Sequence, residues 1–125
     1  MLVCTVGLYS QATLNFCASV EANGYCNFDN TKFITSPDST TGRIFMQVRN
    51  NAGPIGASNV IFKIYKLSGT GDEKFVTLMQ QQIKPDWATA WMPGTFDSPG
   101  KYVVKVYNEA DQVICTNKFE LILFK

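Results

Sequence analysis

Histidine is absent from the 125-residue chain. With it go the commonest general base near neutral pH, the commonest neutral metal ligand and the Ser-His and Cys-His nucleophile pairs. Arginine is nearly absent, Arg43 and Arg49 being the only two, and the net charge is +1. Nucleic-acid surfaces need clustered cations, so no nucleic acid is expected as a partner. No apolar run approaches the ~20 residues of a membrane-spanning helix, and the chain is not expected to cross a membrane.

Carboxylates are few. Asp72, Glu73, Asp86, Asp97, Glu109 and Asp111 all read as loop residues, with no two placed to face each other across a cleft as glycoside hydrolysis requires. Asn27-Phe28-Asp29-Asn30 is too short for a calcium loop and lacks its closing glutamate. The glycines of Ser68-Gly69-Thr70-Gly71-Asp72-Glu73 lack the lysine and following helix of a phosphate loop, so this stretch reads as a hairpin turn. No catalytic residue, metal or cofactor is assigned, and the chain is read as a non-enzyme.

Cysteine is present but without CxxC spacing. Cys4, Cys17, Cys26 and Cys115 therefore argue against zinc and for disulfides in an oxidising compartment. Cys17 and Cys26 flank Asn23-Gly24, a hairpin signal, and are expected to bridge. A turn centred on Asn23-Gly24 does not set them opposite each other, whereas one centred on Glu21-Ala22 does; either the loop is irregular or the pair is not cross-strand. Cys115 reads as a small core residue with little thiolate character.

A sustained 3.6-residue apolar period is also missing, so almost no helix is expected. What is present is alternation. The stretch Lys101-Tyr102-Val103-Val104-Lys105-Val106-Tyr107 follows a Pro-Gly turn and puts Tyr102, Val104 and Val106 on one face. After the polar break at Asn108-Glu109-Ala110-Asp111, a β-rich run over 112–124 completes an antiparallel hairpin. Upstream, residues 43–50 put Ile44, Met46 and Val48 inward and Phe45, Gln47 and Arg49 outward. Residues 59–67 put Val60, Phe62 and Ile64 inward and Ile61, Lys63 and Tyr65 outward. Short strands are expected at 13–20, 31–35 and 74–83. Residues 85–94 hold Trp87 and Trp91 between prolines, which makes the segment an edge strand or a crossing loop. The total is seven or eight strands in an all-β chain.

Within residues 1–12, Leu2 to Tyr9 are mostly apolar and Ser10-Gln11-Ala12 is a small-x-small site with cleavage expected after Ala12. They read as a signal-peptide remnant, with a first strand as the other reading, leaving 13–125 as a single domain.

The run Asp97-Ser98-Pro99-Gly100-Lys101-Tyr102 resembles the penultimate strand of immunoglobulin-like and fibronectin-III-like modules. In those modules an acidic residue and a glycine precede a corner tyrosine, here Tyr102. The resemblance is good over residues 43–125 and poor before them. The inter-sheet disulfide of antibody domains is not implied, because Cys115 lies on the last strand. With the leader, the chain looks like the Ig-like modules of small secreted bacterial proteins of Bacteroidetes type. The resemblance implies an immunoglobulin-like antiparallel β-sandwich that is secreted, periplasmic or at the cell surface, and it implies no reaction.

Three roles follow as expectations: a surface binding or adhesion module for a protein or glycan, an assembly subunit pairing through a strand edge, and a carbohydrate-binding accessory module. The first rests on a sheet face carrying Lys63, Tyr65, Lys105 and Tyr107, where lysines favour an acidic partner or anionic glycan. Thr116 and Lys118 extend that face unless a bulge near Asn117 turns them away. The third rests on Trp87 and Trp91, which share a face if their segment is extended.

Overall fold

Alternating apolar residues build two facing sheets. The computed structural model describes residues 12–23, 25–27, 31–35, 42–96 and 98–123. Residues 1–11 of the leader read over 1–12, Cys4 among them, Gly24, the segments 28–30 and 36–41, Asp97, Phe124 and Lys125 lie outside the described residues, and so do the readings placed on them; Ala12, the leader's last residue, is the first of the strand that ends at Cys17.

The first sheet has three strands in the order β1–β5–β8: β1 (Ala12–Cys17), β5 (Gly42–Asn50) and β8 (Thr89–Phe96). The second has five, β4–β10–β9–β6–β7: β4 (Lys32–Thr35), β6 (Asn59–Leu67), β7 (Glu73–Gln82), β9 (Gly100–Tyr107) and β10 (Val113–Leu123). Both are antiparallel except where β4 runs parallel to the end of β10. A two-residue ribbon, β2 (Ser19–Val20) with β3 (Cys26–Asn27), stands beside them. Among the described residues there is no helix.

The two sheets close over Leu14, Phe16, Ile44, Met46, Val48, Val60, Phe62, Ile64, Val104 and Val106, all buried. One end of this core is aromatic. Phe119 lies 4.7 Å from Phe16, 5.0 Å from Phe96 and 5.3 Å, stacked, from Tyr102. Such pairs add about 0.5–1.5 kcal/mol each beyond area burial. The two sheets are also tied by a polar bond, Asn117 Nδ2 donating to the Leu14 carbonyl at 2.8 Å.

Tyr102 is buried, and its hydroxyl donates to the Ser98 carbonyl at 2.6 Å. Lys66 Nζ donates to Ser98 Oγ at 2.7 Å, so three side chains and one carbonyl fix the turn. Gly100 sits at φ 147°, and a Cβ there would stand 2.7 Å from the Lys66 stem. The positive φ calls for glycine, and a side chain there would also displace the end of Lys66.

Residues 13–20 do not form one strand. The chain leaves β1 after Cys17, and Ala18 N–H donates to the Asn27 carbonyl, opening the ribbon. Within the ribbon Val20 faces Cys26 and Ser19 faces Asn27. The turn is therefore centred near Asn23, and Cys17 is not opposite Cys26 in the ladder. The two are nonetheless bridged, with Cα atoms 5.4 Å apart, because the disulfide joins the end of β1 to the ribbon rather than the ribbon's own strands.

β8 is an edge strand, with Pro93 inside it facing Phe45. Gln47, expected outward, is 1% exposed. It lies on the middle strand of its sheet between Asn15 of β1 and Trp91 of β8, where cross-strand neighbours flank it on both sides.

Candidate functional site

The outer face of the five-stranded sheet gathers the sequence-marked residues. In the ladder, Lys63 of β6 faces Lys105 of β9, and Ile61 faces Tyr107. Two lysines directly opposite repel. Each turns to a carboxylate: Lys105 Nζ to Glu73 at 2.7 Å and Lys63 Nζ to Asp111 at 3.4 Å. Each also lies over a ring, Lys63 4.2 Å from the Tyr107 centroid and Lys105 4.8 Å from that of Tyr65. Its hydrogen bond with Glu73 raises the Lys105 pKa. These are solvent-facing pairs, worth little in stability, but they set the charge of the face. The lysines do not leave it cationic.

Glu73 was expected in a turn. It instead opens β7, opposite Leu67, because the Ser68–Asp72 backbone bond closes the turn one residue earlier. Next to it Phe75 meets Tyr65 edge-to-face at 5.7 Å, and Leu78 stands opposite Lys63. Phe75 and Leu78 are 52% and 46% exposed. The strand itself is legible in the sequence; these two apolar side chains on its solvent face are not, because alternation along 74–83 does not tell a covered strand from an edge. A register shift between Ile64 and Tyr65 against β7 adds a bulge that blurs the period further.

The bulge on β10 falls between Val113 and Cys115 rather than near Asn117. Thr116 therefore faces Lys105 and Lys118 faces Val103, so both extend the outer face. Cys115 turns toward the core side, opposite Val106, and burial pushes its thiol up to about 12.

The tryptophans do not share an extended segment. Trp87 lies in a turn before β8, its N–H donating to the Lys84 carbonyl and its own carbonyl accepting from Ile55 N–H. Trp91 is on β8, 5.7 Å from Phe45. Both are partly exposed, at 41% and 37%, but one strand does not align them.

An open depression of about 370 Å³ lies at the far end of the same sheet, lined by Thr31, Lys32, Leu67, Lys101, Lys118 and Glu120 among others. Among the described residues no group of three or more Cys, Asp or Glu side chains is placed to hold a metal ion, and no helix is long and apolar enough to cross a membrane.

No protein-family model matches the chain, and no curated protein matches it. Solved structures do. An immunoglobulin-like protein of Pseudomonas aeruginosa, PA1606, superposes with a TM-score of 0.54 at 11% identity, covering 92% of this chain and 99% of that one. The soluble domain of PmoD from Methylocystis sp. ATCC 49242 (Rockwell) gives 0.49 at 15% identity, with 90% of each chain covered. At such identities the likeness concerns the fold alone. The strand order β10–β9–β6, the corner at Tyr102 and the match to the Pseudomonas protein together make this chain an immunoglobulin-like β-sandwich.

Proposed function

We propose that this is a non-enzymatic binding module of an oxidising, extracytoplasmic compartment, and that it meets its partner through the outer face of the five-stranded sheet. The observation that carries the reading is the neighbourhood of Tyr65, Phe75, Leu78 and Tyr107, where exposed Phe75 and Leu78 stand beside half-buried Tyr65 and Tyr107 and paired charges. Tyrosine combines apolar area with a polar tip and is favoured at interfaces. The Cys17–Cys26 disulfide supports the compartment.

The paired charges refine the partner. Lys63 and Lys105 each have a carboxylate at hand, so long-range attraction to an anion is cancelled locally, and a protein surface fits better than an anionic glycan. Binding should then change little between low and moderate salt. The test is retention of the Tyr65→Ser/Tyr107→Ser variant on host surface material. A folded variant should lose at least about tenfold in affinity, the scale of interface aromatics. Unchanged retention removes this face.

A second reading, assembly through a strand edge, is favoured by β7, whose far side no other strand of the described residues pairs.

A further inference from the structure

The sandwich has four sheet edges, and they are not treated alike. β8 carries Pro93, which cannot donate to an incoming strand. β4 spans four residues. β1 is tied across the sandwich by the bond from Asn117 to Leu14. β7 is different. It runs for ten residues without proline or glycine, and its only charges, Glu73 and Lys74, sit together at one end. Phe75, Val76 and Leu78 are 52%, 48% and 46% exposed on it, and no other strand of the described residues pairs with its far side. Natural sheets protect long edges with charge, proline or a cover. Among the described residues β7 has no proline and no covering strand, its charges stop at Lys74, and a bulge opposite Ile64 and Tyr65 is its one irregularity.

We infer that a second copy of this chain covers β7, the two β7 strands pairing antiparallel about a two-fold axis near Leu78. The inference rests on the strand-edge reading above and names its partner. Charge decides the direction. Asp72 and Glu73 lie at the start of the segment, Lys84 lies just beyond its end, and Leu78 stands midway between Asp72 and Lys84. Antiparallel pairing about that point brings the acidic end of each copy beside Lys84 of the other. Parallel pairing in register stacks Glu73 on Glu73 and Lys74 on Lys74, which repel. A two-fold contact also closes, so the open edge is consumed in a dimer and no fibre grows. The ten-stranded sheet that results brings Leu78 and Phe75 of both copies to its centre.

The experiment uses the chain with Cys4 and Cys115 changed to Ser and the Cys17–Cys26 bridge intact. Light scattering across micromolar concentrations should give the mass of two chains. Phe75→Lys/Leu78→Lys should return the mass of one chain that still melts in a single cooperative transition, at a somewhat lower temperature because the partner no longer stabilises it. For direction, Asp72→Cys and Lys84→Cys copies are treated with a short bis-maleimide, which tolerates the offset of a bulge. Cross-linked dimer in the mixture, and little in either variant alone, is the expected result. Cross-linking of each variant to itself overturns the antiparallel pairing, and so does a single-chain mass at every concentration. If the chain stays single while Phe75→Lys/Leu78→Lys abolishes retention on host surface material, self-pairing falls and contact with a different partner through the sheet face stands.

Discussion

Tyr102 holds the turn that starts β9, and its cost of removal can be stated. Its hydroxyl reaches the Ser98 carbonyl at 2.6 Å from a buried ring. Tyr102→Phe strands that carbonyl and should lower unfolding free energy by about 1–2 kcal/mol, measured by urea denaturation. Gly100→Ala should cost more than ~1 kcal/mol, since alanine is strained at positive φ and its methyl meets Lys66. Cys115 gives a chemical readout. With its thiol pushed up to about 12 by burial, native protein at pH 8 should react with iodoacetamide far more slowly than unfolded protein. Equal rates would mean that the thiol is open to solvent.

At the scale of elements, the β9–β10 hairpin is anchored by Glu109, whose carboxylate accepts from the Ser58 and Asn59 amides at the start of β6. Its own backbone N–H, then that of Ser58, holds its pKa below the ordinary carboxylate value. A lowered folded-state pKa gives stabilisation that is present above the unfolded value, ~4.3, and lost as pH falls through the folded one. Glu109→Gln should therefore flatten the acid limb of the stability curve, lower the curve evenly above the unfolded value and leave the slope of its alkaline limb unchanged. The elements were largely legible from alternation: β6 and β9 announce their inward faces residue by residue, and Pro93 marks β8 as an edge. Other features needed three dimensions. Gln47 is polar in the sequence yet buried on a middle strand. The turn at Trp87 depends on bonds to Lys84 and Ile55, and nothing local predicts it. Glu73 and Asp111 lie far along the chain from the lysines they hold. The proposed contact face was half legible: its tyrosines and lysines follow from period two, while Phe75 and Leu78 emerge only because β7 ends its sheet.

For the whole molecule, the disulfide links the end of the three-stranded sheet to the ribbon across a separation of nine residues. In the chain-entropy view a loop of that size is worth about 2–3 kcal/mol, and the Cys17→Ser/Cys26→Ser variant should unfold at correspondingly lower urea. The molecule presents two unlike surfaces, the tryptophan-bearing edge around β8 and the outer face of β6, β7 and β9. The second is the proposed contact surface. Hydroxyl-radical footprinting of the unaltered protein, free and mixed with host surface material, reports on both at once. The prediction is that oxidation of Tyr65, Phe75, Leu78 and Tyr107 falls on mixing while Trp87 and Trp91 react as before. Protection of the two tryptophans, with the sheet face still reactive, would contradict it.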